Sequence, residues 1–146
     1  MRSYSQNKSV IISVKGVPVH ISLNITRTPS LTANTFELIN ARYSESPCLL
    51  CNLDEEQKGV LTLDDRYIIL ANPGITIPGD LTISSIEHES QLITGHFEDM
   101  IRLSELLTDY SIYFNGALAG ASSPHFHFQA GVKDTLIGEQ QINEML

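Results

Sequence analysis

Residues 115–129 have the sequence NGALAGASSPHFHFQ, in which a loop of small residues leads directly into alternating histidine and phenylalanine. Side chains alternate between the two faces of a β-strand, so a strand here places His125, His127 and Gln129 on one face. Phe126 and Phe128 then lie on the other face, which we expect to pack in the core. The small residues can offer backbone N–H groups to a phosphate, and a histidine can act as a nitrogen nucleophile. We therefore expect function at this stretch.

Short segments rich in β-branched residues surround this strand, and turn residues separate them. The segments that predict strands are residues 9–14, 17–24, 60–63, 67–71, 81–85, 111–114 and 125–132. Lys15-Gly16 joins the first two and Asp64-Asp65 joins the next two, so each pair predicts a β-hairpin. The sheet is therefore expected to be mainly antiparallel.

Two segments have the apolar spacing of a helix. Residues 31–43 give a modest signal and residues 91–109 a strong amphipathic one, whereas the polar tail after residue 132 predicts no definite element. The sequence thus predicts an α+β fold in which one long and one shorter helix pack on a mainly antiparallel β-sheet. We expect one domain over residues 1–146, with the motif-bearing core at about 48–131.

Composition excludes some classes of protein. The chain has 146 residues, of which 42% are hydrophobic, and a formal net charge of −8 with nine Lys and Arg residues. Nucleic acids are bound largely through clustered basic side chains, so we expect no nucleic-acid partner. No segment approaches the roughly 20 apolar residues of a membrane span, and no hydrophobic leader is present, which favours the cytoplasm. A small phosphorylated ligand remains compatible with this charge, because loops and helix ends can bind it.

The two cysteines suggest a metal site. Cys48 and Cys51 form a C-x-x-C pair, which suits two corners of a tetrahedral Zn²⁺ site, and a redox pair is the second interpretation. His88 and His125 are the favoured remaining ligands, and 37 residues separate Cys51 from His88 and His88 from His125. Four protein ligands leave no open position for water, so the predicted role is structural. Two reduced cysteines with unconnected histidines remain the alternative. His20 is more simply explained as an ordinary strand histidine, and His96 as a solvent-facing histidine of the predicted helix.

In these motifs the chain resembles the histidine triad (HIT-like) superfamily, specifically its transferase branch, typified by galactose-1-phosphate uridylyltransferase and diadenosine tetraphosphate phosphorylase. The resemblance rests on Gly120-Ala121-Ser122, on the segment from Pro124 to Gln129, on residues 72–83 followed by His88, and on the Cys48-x-x-Cys51 pair. It covers roughly residues 48–131, and the combination is more specific than His-x-His-x-Gln alone.

The resemblance implies a separate role for each group of motif residues. His127 is implied to attack the α-phosphorus of a nucleotide sugar or dinucleoside polyphosphate, which gives a covalent nucleotidyl-histidine, and Gln129 to hold phosphoryl oxygens. The same resemblance assigns Zn²⁺ to the ligand set predicted by spacing, and it implies a homodimer. The residues that it implies for contact with phosphate or nucleotide are Asn72 (at the ribose), Asn115, Gly120, Ser122, Ser123 and Gln129.

Gln129 decides between branches of this superfamily. Hydrolases of the superfamily carry a third histidine at this position, whereas the transferases carry glutamine, so transfer or phosphorolysis is favoured. The transferases have two related halves or a sizeable C-terminal part, and here 17 residues follow Gln129. A nucleotide-binding or regulatory domain without catalysis is therefore the alternative, and a nucleotide hydrolase is a third reading.

Overall fold

The computed structural model describes residues 8–23, 48–72, 74–117, 119, 121 and 123–145 of the chain. Within these residues the elements follow in the order β1 (Lys8–Val14), β2 (Val17–Leu23), β3 (Gly59–Thr62), β4 (Tyr67–Ala71), β5 (Leu81–Ser85), α1 (Phe97–Leu106), β6 (Tyr110–Tyr113), β7 (His127–Val132) and α2 (Ile137–Met145). All pairings between these strands are antiparallel, which confirms the predicted α+β class. The helix predicted over residues 31–43 lies outside the described residues.

The histidine-bearing strand β7 lies inside a five-stranded sheet. The order of strands is β3-β4-β5-β7-β6, so β7 pairs with β5 on one side and β6 on the other. Ser84 pairs with His127 across β5 and β7, and Tyr113 pairs with Gln129 across β6 and β7. Because β7 has neighbours on both sides, residues 127–131 are buried, and the two faces of this strand are positioned rigidly.

The predicted apolar face of this strand is part of the core. Phe126, Phe128 and Ala130 are fully buried and cluster with Tyr67, Ile83 and Leu103. The rings of Phe126 and Phe128 meet edge to face with their centroids 4.9 Å apart, a favourable geometry for aromatic pairs. The alternation deduced from the sequence therefore separates a packed face from the face that carries the histidines.

Three predictions differ from the structure by more than one residue. The long helix predicted over residues 91–109 covers only Phe97–Leu106, because Gly95 has a φ of +88° and the residues before it run beside the start of the histidine motif. In that segment Phe126 N–H donates to Glu89 O at 2.8 Å. His125 precedes β7 and forms an isolated bridge with Ser90, and the polar tail forms α2.

Both predicted hairpins are confirmed. β1 and β2 form a separate two-stranded sheet whose turn, Lys15-Gly16, has positive φ angles of 51° and 85°, as a tight hairpin turn requires. β3 and β4 are joined through residues 63–65, which also have positive φ. Within the described ranges, neither helix has the length and apolar character needed to cross a membrane.

An ionic contact between a half-exposed arginine and a buried aspartate links α1 to the sheet. Arg66, which precedes β4, donates to both carboxylate oxygens of Asp99 on α1, and Tyr67 Oη donates to Asp99 Oδ2 at 2.8 Å. The hydrogen bonds from Arg66 lower the pKa of Asp99, and burial raises the pKa of Tyr67. Asp99 is therefore ionised in the fold, and its charge is balanced where α1 meets β4.

We expect Asp99→Asn to lower the free energy of unfolding at pH 7 by about 1–3 kcal/mol, because the charge-assisted bonds are lost. The folded-state pKa of Asp99 is lowered, so its contribution is complete above the ordinary value of about 4 and is lost as the pH falls below it. Urea unfolding of both proteins should therefore show a gap at pH 7 that shrinks by pH 3.

The control is Asp64→Asn, which removes an exposed pair with Arg102 at 3.7 Å. An exposed pair of this kind contributes about 0–1 kcal/mol, so this variant should resemble the parent. An Asp99→Asn protein as stable as the parent at pH 7 would contradict the stabilising role.

Candidate active site and metal centre

Four predicted metal ligands come together at one end of the sheet. The Sγ atoms of Cys48 and Cys51 and the ring nitrogens of His88 and His125 all lie within 4.8 Å of one another. Cys51 Sγ is 3.2 Å from His88 Nδ1, and both sulfurs are 3.3 Å from His125 Nδ1. A tight turn, in which Cys51 N–H donates to Cys48 O at 3.2 Å, presents both thiols to the same point.

The surroundings of His125 fit a metal ligand. Its Nε2 lies 2.9 Å from Ser85 O, and a carbonyl can only accept, so Nε2 carries the proton and Nδ1 turns its lone pair toward the two thiols. Burial lowers the pKa of His125, which favours the neutral ring. Burial raises the pKa of Cys51, and the neighbouring Cys48 thiol raises it further. Both cysteines can therefore be thiolates together only when a cation lies between them. The donor set is that of a closed Cys₂His₂ centre.

His127 lies two residues further along, with its own tautomer fixed. Its Nδ1 is 2.8 Å from His125 O, so Nδ1–H donates to this carbonyl and Nε2 is the nitrogen that carries the lone pair. Burial lowers the pKa of His127, which keeps the ring neutral near pH 7. A neutral imidazole with one nitrogen fixed and the other basic is suited to nucleophilic attack.

A cavity of about 480 Å³ opens beside His127. This volume lies within the range of small-molecule sites, which is about 300–1,000 Å³. Asn72, Thr82 and Ser123 supply polar groups to its wall, and the loop after Cys48 supplies Leu50 and other residues. The cysteine turn therefore carries part of the cavity wall, so the two sites share a loop.

Gln129 is held by a second amide. Asn115 Nδ2 donates to Gln129 Oε1 at 2.7 Å, and the described part of the chain offers the NH₂ group of Gln129 no acceptor. Gln129 lies on the same face of β7 as His127 and pairs with Thr82 of β5, a residue of the cavity wall. The free end of Gln129 is therefore a hydrogen-bond donor.

Asn72 belongs to a loop organised by a buried carboxylate. Asp80 accepts hydrogen bonds from Asn72 Nδ2 at 3.1 Å and from Thr76 N at 2.7 Å, and Asn72 Oδ1 accepts from Gly74 N at 3.0 Å. Asp80 lies within residues 72–83, and its role was not predicted from the sequence. Its two oxygens shape the edge of the cavity at which Asn72 lies.

The structure brings most of the predicted site residues together. Cys48, Cys51, His88 and His125 meet in one cluster, while His127 and Ser123 line the cavity together with Asn72. Asn115 contacts Gln129 instead of lying free for a ligand. Gly120 and Ser122 lie outside the described residues.

Sequence reasoning missed Thr82, Asp80 and Gln91. Thr82 belongs to a predicted strand, and its direction toward the cavity depends on the pairing of β5 with β7. Gln91 fell in the predicted helix, although its side chain is buried against the backbone of β7. No local pattern marks any of the three. Thr82 and Gln91 act through partners distant in sequence, and the role of Asp80 depends on the shape of its loop.

Comparison with known proteins gives a family and a fold. The family described as "Domain of unknown function (DUF4922)" matches residues 2–132. No curated protein matches the chain. Among solved structures the chain is similar to yeast Ap4A phosphorylase Apa2, with a TM-score of 0.58 over 94% of this chain and a sequence identity of 19%. The chain spans 43% of the length of that protein. The likeness shows a common HIT-like fold.

Proposed function

The chain belongs to the family described as "Domain of unknown function (DUF4922)", and from the site we propose that it is a nucleotidyltransferase or phosphorylase that acts through His127. The substrate is a dinucleoside polyphosphate or a nucleotide sugar. One observation carries this proposal: a buried, neutral imidazole with its Nδ1–H donated to His125 O lines a cavity of ligand size. The similar structure is an Ap4A phosphorylase, which supports a nucleotide as the substrate class.

In the first step Nε2 of His127 attacks the α-phosphorus of the nucleotide. The P–N bond forms as the bond between that phosphorus and the leaving phosphate oxygen breaks. The ring then carries a positive charge, and the Nδ1–H bond to His125 O stabilises it without the loss of a proton. An oxygen of a second phosphate attacks next, and the P–N bond breaks to regenerate neutral His127.

The groups around His127 suit the charge that develops on the phosphoryl oxygens. Gln129, with its oxygen held by Asn115, presents an NH₂ donor. The hydroxyl of Ser123 accepts from His125 N at 3.2 Å and retains its own hydrogen for a ligand. Fixed donors of this kind stabilise a transition state without reorganising during the reaction.

The remainder of the cavity suits a nucleoside. Leu50, Leu53 and Leu70 form an apolar part of the wall against which a base can pack, and Asn72 lies at the edge proposed for the ribose. The Cys₂His₂ cluster would hold Zn²⁺ and so fix the loop that carries Leu50 and Leu53. With four protein ligands, the metal would support the architecture of the site and would take no part in the chemistry.

The proposal predicts turnover that depends on a phosphate acceptor. The protein would be mixed with dinucleoside polyphosphates or nucleotide sugars, together with inorganic phosphate, a sugar phosphate or neither, and the nucleotide products separated by chromatography. Product should form with an acceptor, and the two-step route should give ping-pong kinetics.

Two other results have distinct meanings. Products released at the same rate into water alone would identify a hydrolase. Saturable nucleotide binding, measured as a thermal shift, without any product would identify a binding or regulatory domain. Either result would overturn the transferase proposal.

Two further proposals concern the oligomeric state and the cellular location of the protein. We expect a homodimer, because β3 is at the edge of the sheet among the described strands and exposes Val60 and Leu61, and an exposed apolar edge is prone to pair with another chain. Sedimentation would show a mass of two chains. A cytoplasmic location also stays a prediction from the composition.

A further inference from the structure

The buried side chain of Gln91 makes hydrogen bonds to the backbone at two places. It is 2% exposed, and its Nε2 donates to Asn115 O at 2.8 Å and to His127 O at 2.9 Å. Its Oε1 accepts from His127 N at 2.7 Å. The carboxamide thus satisfies both main-chain groups of the proposed nucleophile and the carbonyl of the residue that begins the glycine- and serine-bearing loop.

The sheet register explains why a side chain is needed there. Tyr113 pairs with Gln129, so continuing the ladder by two residues on each strand would place Asn115 opposite His127. β6 ends at Tyr113, and no such pairing forms between the two described residues. The amide of Gln91 occupies the place of that pairing, accepting one N–H and donating to two carbonyls as a pair of peptide groups would.

The backbone around Gln91 holds this amide firmly. Gln91 N–H donates to Pro124 O at 3.1 Å, and Phe126 N–H donates to Glu89 O at 2.8 Å, so the segment runs antiparallel to the start of the histidine motif. The segment begins at His88, a member of the metal cluster. Residues 88–91 therefore place the carboxamide of Gln91 against the main chain of His127.

We propose that Gln91 is a positioning residue that replaces the β6–β7 ladder at its end and fixes the main chain of His127. Without it, the carbonyls of Asn115 and His127 would lose their donor and the His127 N–H would lose its acceptor. The nucleophile would then lose its fixed backbone. The catalytic part of this inference rests on the proposed function, whereas the structural part does not.

The test uses Gln91→Met, which keeps the length of the side chain but cannot hydrogen-bond strongly, and the milder Gln91→Asn, which keeps the amide but is one methylene shorter. Hydrogen exchange of individual amides, followed by NMR, reports the bond directly. We expect the His127 amide to exchange at least about 10-fold faster in both variants, while the Phe128 amide, which faces β5, is unchanged. We also expect kcat to fall about 100-fold with KM changed less than about threefold, because the misplaced nucleophile affects the chemical step.

Tyr67→Phe is the matched control, because it removes a buried hydrogen bond to Asp99 on the opposite face of the sheet. Its kcat should stay within about threefold of the parent. An unchanged exchange rate of the His127 amide in the Gln91 variants would overturn the proposal. If the parent turns over, variants with the same kcat as the parent would overturn it as well. If the parent has no turnover, the proposed function fails and the exchange comparison still decides the role of Gln91. If Gln91→Met does not fold, Gln91→Asn decides both readouts.

Discussion

Replacing His127 with alanine is expected to lower turnover by roughly four orders of magnitude, because removing a covalent nucleophile eliminates both steps of the reaction. Nucleotide binding should be retained, since Asn72 and Ser123 remain in the cavity. Its apolar wall also remains, which consists of Leu50, Leu53 and Leu70. Steady-state kinetics with the best nucleotide and acceptor would measure the loss, and a thermal shift on adding nucleotide would measure binding.

His20→Ala is the matched control for this variant. His20 is exposed on β2 of the two-stranded sheet, whereas His127 belongs to the five-stranded sheet. This variant should therefore keep the turnover of the parent. Activity that survives His127→Ala would contradict the covalent mechanism, and a variant that also loses bound metal would show that the change had disturbed the neighbouring His125.

Replacing Cys48 or Cys51 with alanine is expected to remove the metal and destabilise the fold. Metal analysis of the parent should give about one zinc ion per chain, the stoichiometry of a closed four-ligand site, and the variants should give almost none. The free energy of unfolding should fall by at least about 3 kcal/mol, because metal binding is linked to folding. For a chain of this size that loss corresponds to a drop in Tm of about 10 °C or more.

Loss of the metal should also weaken nucleotide binding. The turn from Cys48 to Cys51 is continuous with Leu50 and Leu53 of the cavity wall, so a loosened turn disturbs the proposed nucleoside site. His20→Ala again serves as the control and should keep its zinc. A metal-free preparation that is as stable as the parent would refute the structural centre.

The histidine motif predicted much of the fold because its alternation is local. Phe126 and Phe128 pack in the core as the period of two requires, and the hairpin turns at Lys15-Gly16 and Asp64-Asp65 form where short turn residues separate apolar runs. The helix start at Phe97 was not predictable in this way, because residues 91–96 have helical spacing. Tertiary hydrogen bonds from Gln91 to β7 compete with the helix and prevail there.

Some residues of the candidate site were predictable from the sequence and others were not. The metal cluster was predicted because cysteine and histidine are rare and few other combinations of them were available. Gln91, Thr82 and Asp80 were not predictable, because glutamine, threonine and aspartate are common and their role depends on register and on loop geometry. Asn115 was predicted near the nucleotide, and the sequence could not show that its amide is bonded to Gln129.

Intact-protein mass spectrometry detects directly whether His127 accepts a nucleotidyl group. The parent would be mixed with a dinucleoside polyphosphate in the absence of an acceptor and denatured without acid, because a P–N bond to histidine is acid-labile. We predict a mass increase of one nucleotidyl group per chain, which disappears on adding phosphate acceptor and is absent from His127→Ala. An unmodified mass in a protein that turns over the same substrate, or an adduct that persists in His127→Ala, would contradict covalent catalysis by His127.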